Sequence, residues 1–273
     1  MTIVLSDGGY ELIESFGGFI SYLEHMPLLI RVLIVGSIPA ILTILGSIPI
    51  FFGLKLEEKI TDAGMGFAAG VMTVASFTSL LIPSIEIGGI TISIIGFALG
   101  VVIVKFLDLL IPHMHITKGY EGVIHPVKLK KAWLIALAMI IHNIPEGMAV
   151  GAATTYSIVD GLVLAIAIGL QDVPEGLAVA LPIAAATGNK KRAFIIGSFS
   201  GIIETFAAII PPLLIGLIPV MLPLMLALAA GAMIYVVVHE ITPDIYGHGH
   251  DEPATLGFFL GFIVMLILDS VLG

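Results

Sequence analysis

The chain has no cysteine, a single tryptophan and very little charge, with Asp, Glu, Lys and Arg together making up 11% of its 273 residues. Without cysteine there are no disulfides and no thiolate ligands, so metal sites built on sulfur anions are excluded. Basic residues are scarce as well, 11 against 20 acidic ones, and the resulting net charge of −9 argues against nucleic acid as a partner. So few charged groups also leave little to cover a water-facing surface. What fills the chain instead is apolar: 58% of residues are hydrophobic and the mean hydropathy is +1.14. One globular core cannot bury that much apolar surface, which makes the lipid bilayer the solvent for most of it.

A helix needs roughly 20 mostly apolar residues to cross the hydrocarbon core. Eight such runs are present, at about 29–53, 64–83, 89–111, 132–153, 158–186, 193–215, 220–245 and 254–272. The expected fold is therefore an all-α integral membrane protein with eight transmembrane helices, referred to below as spans 1 to 8. Residues 1–27 form a separate N-terminal segment and 28–273 the transmembrane domain. Within the first of these, Tyr10 to Met26 mixes Glu11, Glu14 and Glu24 with Phe16, Phe19 and Ile20, the pattern of a helix lying in the membrane interface.

Nine basic residues fall in alternate loops: Lys55 and Lys59, then Lys118, Lys128, Lys130 and Lys131, then Lys190, Lys191 and Arg192. By the positive-inside rule these loops are cytoplasmic, and with eight spans both termini face outward.

Aligned with itself at an offset of 161, the chain repeats. Gly36-Ser37 falls on Gly197-Ser198, Ala68 to Met72 on Ala229 to Met233, and Gly96 to Asp108 on Gly257 to Asp269. Spans 1–3 thus correspond to spans 6–8, in opposite membrane orientation, which is the inverted-repeat plan of many secondary transporters. Spans 4 and 5 between them repeat each other at an offset of 29, as HNIPEGMAV from His142 and QDVPEGLAV from Gln171. The arrangement is 3+2+3.

Residues three and four apart share a helix face, so His142, Asn143 and Glu146 lie together on span 4 and Gln171, Asp172 and Glu175 on span 5. Span 6 adds Glu204, and span 7 adds His239 and Glu240 nearer the cytoplasm. Pro145 and Pro174 are expected to break the helices locally, which membranes tolerate where a cavity is lined. An ionisable residue at the bilayer centre costs about 2.5–3.5 kcal/mol on insertion scales. Four acids gather here, while Lys105 is the one basic residue well inside a span, so protons or imported cations must neutralise them. Carboxylate, imidazole and amide donors together suit a borderline divalent ion; zinc fits, as do cadmium, iron(II) and manganese. His142, Glu146, Gln171 and Glu175 are able to hold one ion, and Asn143, Asp172 and Glu204 a second, with Glu146 and Glu175 bridging.

The HNxPEG and QDxPEG pair, the AAGVM of span 2 and the His-Glu of span 7 resemble the ZIP (Zrt/Irt-like) metal transporter family, in its prokaryotic branch, over Ile30 to Leu272. The resemblance implies the eight-helix 3+2+3 fold, external termini, a homodimer in the cytoplasmic membrane, and uptake of zinc and related ions by alternating access. It also implies a two-metal site on His142, Asn143, Glu146, Gln171, Asp172, Glu175 and Glu204, with Met72 as a further contact. Zinc or cadmium is then a transport substrate and not a catalytic cofactor.

Two loops carry further candidate ligands: His113, Met114, His115 and His125 between spans 3 and 4, and His248, His250, Asp251 and Glu252 after span 7. A metal-selective channel would use the same ligands and remains a competing class. An intramembrane zinc protease commonly carries H-E-x-x-H, which the chain lacks, since His239-Glu240 is followed by Pro243 and not by histidine.

Overall fold

The computed structural model of the chain describes residues 17–53, 57–110, 113–115, 119–121, 131–218, 221–247 and 249–272. Helix α1 covers 17–24, the described part of the expected interfacial helix, and its Leu23 is fully buried against the main core. Helix α2 (Leu28–Ser47) tightens into a 3-10 turn over Ile48–Phe52 and stops at Gly53, whose φ of +70° only glycine adopts without strain. Helix α3 (Glu58–Ala75) passes through a π-helical turn at Ser76–Leu81 into α4 (Ile82–Leu110), which is interrupted at Gly89 by non-helical φ and ψ of 74° and 164°.

After a small antiparallel hairpin of β1 (His113–His115) and β2 (Gly119–Glu121), α5 (Lys131–Tyr156) leads directly into α6 (Ile158–Thr187). Ser157 caps α6 by accepting from the Asp160 amide. Then follow α7 (Lys190–Ala207), α8 (Ile210–Leu217), α9 (Met221–Tyr235), a second π-helical turn at Val236–Ile241, α10 (Thr242–Ile245) and α11 (Asp251–Leu272). Among the described residues, six helical stretches are long and apolar enough to cross a membrane, the longest being the interrupted Glu58–Leu110. The molecule is thus an α-helical membrane protein with large apolar side chains such as Ile94, Phe106, Phe259 and Ile263 on its outside.

The expected breaks at Pro145 and Pro174 do not occur. Both helices run through their prolines, although neither proline has an N–H to offer the carbonyl four residues back, at Ile141 and Leu170. Losing one bond in a helix enclosed by neighbours does not unwind it. Besides the interruption at Gly89, the helices depart from α geometry at the two π-helical turns, of a kind frequently found at functional sites.

Packing separates the helices into two groups. In one, α2, α5, α6 and α7 pack on each other; in the other, α3 packs along α11 and α4 along α9. Glycines set these contacts. A Cβ on Gly70 would strike the Phe258 carbonyl, and one on Gly231 the Phe97 carbonyl. Gly96 lies against Leu224 and Gly257 against Ala63; Gly100 lies against Leu228 and Gly261 against Phe67. In each case the 161-residue offset carries one contact onto the other.

The basic start of α7 packs against the end of α2. The Lys190 ammonium donates to the Phe51 carbonyl at 3.1 Å, and the Phe51 and Phe194 rings lie tilted against each other with centroids 5.4 Å apart, so the end of α2 and the start of α7 share one surface.

Candidate metal centre

Helices α5 and α6 run side by side and present their matching motifs to each other. The glycine of each PEG serves close approach: a Cβ on Gly147 would collide with the Glu204 carbonyl of α7, and one on Gly176 with the Thr43 carbonyl of α2. Ser47 adds a hydrogen bond to the Gly176 carbonyl at 3.0 Å. The motifs are thereby held at the centre of the α2, α5, α6 and α7 group.

The structure brings together seven of the residues singled out from the sequence. His142, Asn143, Glu146, Gln171, Asp172, Glu175 and Glu204 are all buried, none more than 5% exposed. Glu146, Asp172 and Glu175 each offer a carboxylate oxygen, and the three oxygens lie within 4.8 Å of one another. Glu204 comes up to Asp172 from α7. Gln171 Nε2 donates to Glu146 Oε1 at 2.5 Å, and His142 Nε2 meets Glu240 Oε2.

Those two contacts use little of what the cluster offers. Glu146 Oε2, Gln171 Oε1, both oxygens of Asp172, Glu175 Oε2 and both oxygens of Glu204 are buried without a hydrogen-bond partner among the described residues. Buried polar atoms are ordinarily paired. Seven oxygen acceptors without donors, converging from three helices, have the chemistry to take up cations. Lys105 does not compensate them, because it sits exposed on α4.

The other expected residues come from outside these three helices. Met72 is fully buried on α3, within the main apolar core. Glu240 is buried in the second π-helical turn and reaches His142 from there. Its neighbour His239 is half-exposed and turns elsewhere, with Nε2 3.5 Å from Asp108 Oδ2. Tyr235 donates to the same Asp108 oxygen at 3.2 Å. His250 Nδ1 lies 3.0 Å from Asp62 Oδ2 at the start of α3. His113 and His115 fall on β1, while His125 and His248 lie outside the described residues.

Sequence reasoning did not single out Asp108, Asp62 or Thr43. Asp108 was visible only as the last residue of a repeated stretch. Its repeat mate Asp269 also takes a polar partner, the Ser79 hydroxyl at 3.2 Å.

A multi-pass helical membrane protein with a buried, unpartnered carboxylate cluster is the class that fold and site define. The sequence model of the ZIP zinc transporter family matches residues 117–269. Zinc transporter ZIPB of Bordetella bronchiseptica is 38% identical over 235 residues, covering 81% of this chain and 75% of its own length. Zinc transporter GufA of Myxococcus xanthus is 34% identical, covering 84% and 94%, and human zinc transporter ZIP11 is 32% identical, covering 85% and 94%. The chain belongs to the ZIP zinc transporter family and is not an enzyme, which removes the intramembrane protease reading.

Proposed function

We propose that this protein carries zinc, and with it cadmium, iron(II) or manganese, into the cytoplasm across the cell membrane. The ion passes through a binuclear site at mid-membrane by alternating access. The observation that carries this reading is the set of unpartnered oxygens on Glu146, Asp172, Glu175 and Glu204. Four carboxylates balance two divalent cations. His142, Glu146, Gln171 and Glu175 hold the first ion, with Met72 as a further contact from the facing group; Asn143, Asp172 and Glu204 hold the second, with Glu146 and Glu175 shared.

Eight crossings in a 3+2+3 plan follow if Glu58–Leu110 turns back at Gly89 and Lys131–Tyr156 also spans. The exchanged glycine contacts between α3 and α11 and between α4 and α9 support an inverted repeat. Residues 1–27 remain a separate outer segment and 28–273 the transporter domain. The basic loops face the cytoplasm and both termini face out, and two copies associate as a homodimer.

The two helix groups favour a carrier over a channel. The group of α2, α5, α6 and α7 holds the carboxylates, and its displacement against α3, α4, α9 and α11 would expose the site first outward and then inward. Released ions would pass Glu240 and His239. The histidines of the two loops, His113, His115, His125, His248 and His250, would hold metal on the release side. Zinc binding to the purified protein tests the site: two ions per chain are expected, and Glu146→Ala and Glu175→Ala, which remove shared ligands, should each abolish both. Unchanged binding in these variants would overturn the assignment.

A further inference from the structure

Thr43 of α2 is the residue that the 161-residue offset places on Glu204 of α7. The structure keeps the correspondence. The Thr43 carbonyl is what Gly176 of the second PEG packs against, and the Glu204 carbonyl is what Gly147 of the first PEG packs against. The two positions flank the paired motifs as mates, one carrying a carboxylate and the other a hydroxyl.

Thr43 is buried, at 1% exposure. Its side chain lies against Gly201, where a Cβ would collide with it, and beside the Asp172 carboxylate. The single hydroxyl proton goes to the Pro39 carbonyl at 3.0 Å. Both Asp172 oxygens are without a hydrogen-bond partner among the described residues. One donor thus stands next to two acceptors, a backbone carbonyl and a carboxylate that the proposed function assigns to the second ion.

We infer that Thr43 is a positioning residue of the second metal site, its hydroxyl turning from the Pro39 carbonyl to one Asp172 oxygen when an ion takes the other. This rests on the binuclear reading above. The move exchanges one hydrogen bond for another, so the hydroxyl is paired in either state. The bond to Asp172 would fix which carboxylate oxygen points at the ion, the part played by the hydrogen-bond partners of metal ligands generally, whose removal costs about 10–100-fold in affinity. The hydroxyl at this position also sets the charge of the site. A carboxylate on both mates would give five acids for two divalent ions, and threonine keeps the number at four.

The test is a zinc titration of the purified full-length protein that resolves two binding steps, with metal-free thermal stability measured alongside. Thr43→Val, which keeps the shape and removes the hydroxyl, is expected to weaken the second step at least about tenfold and leave the first unchanged. Thr43→Ser, which keeps the hydroxyl, should retain both steps, and Thr43→Ala should behave as Thr43→Val does. Wild-type affinities in Thr43→Val, with Glu204→Ala losing one ion, would overturn the inference while the binuclear reading stands. A single ion in the wild-type protein would instead overturn the binuclear reading, and the inference with it. Loss of both ions in Thr43→Val together with a lower metal-free melting temperature would also overturn it, marking Thr43 as a packing residue.

Discussion

The His142 imidazole of α5 and the Glu240 carboxylate of the second π-helical turn meet across 98 positions of sequence. The contact links the helix group that holds the carboxylate cluster to the group that packs α9 and α11. It joins the candidate metal centre to the π-helical turn that carries His239 and Glu240. A cation bound through the same ring nitrogen would displace Glu240, so loading the site would weaken the link between the groups and favour their relative movement.

Glu240→Gln keeps the size of the side chain and removes its charge. Zinc transport should then slow, because ions leaving the site lose the carboxylate they would pass, while zinc still binds at Glu146 and Glu175. Measuring maximal rate and half-saturating zinc separately in proteoliposomes distinguishes slowed release from weakened binding. A change confined to half-saturation would place Glu240 in binding and not in exit.

Gly70→Ala and Gly231→Ala introduce a methyl group against the Phe258 and Phe97 carbonyls respectively. Overpacking of this kind typically costs about 1–3 kcal/mol, and because the two contacts are related by the repeat, the losses should be similar. Thermal unfolding in detergent reads both. Two unequal losses, one near zero, would show that the contacts are not equivalent.

Zinc should stabilise the protein. A ligand that binds only the folded state at 100 times its dissociation constant contributes about 2.7 kcal/mol, and chelation should reverse the effect. Glu175→Ala should unfold at the same temperature with and without zinc. Persistent stabilisation in that variant would place the bound ion elsewhere, in the histidine loops for example.

His250 pairs with Asp62 at the start of α3, well apart in sequence from the carboxylate cluster. His250→Ala together with His248→Ala should therefore leave zinc uptake measurable, with any change falling on rate. Complete loss of uptake would make the loop part of the pathway itself.

How much of this could be read in advance varies by element. The apolar runs mark the helices closely because lipid demands length and hydropathy and little else. The apolar run of span 2 starts at about 64, while the helix itself begins at Glu58; the added turn is polar, with Lys59 paired to Glu57 at 2.6 Å and Asp62 to His250. At Pro145 and Pro174 the missing N–H costs a bond and does not break the helix. The π-helical turns were invisible, because one extra residue in a turn leaves no mark on an apolar pattern. In the site, the paired motifs displayed their ligands at helical spacing, so His142, Glu146, Asp172 and Glu175 stood out. Asp108 and Thr43 did not, because their neighbours come from distant helices. Only the offset that lays Thr43 on Glu204 could have pointed to the second of them.

The most direct measurement of the central claim is zinc uptake into proteoliposomes holding the purified protein, followed by a trapped zinc-sensitive dye, with Glu146→Ala in parallel. Uptake should saturate with external zinc and disappear in the variant, as a carrier working through the Glu146 carboxylate requires. Equal uptake in the two proteins would contradict the account, and uptake that rises without saturation would replace the carrier with a channel.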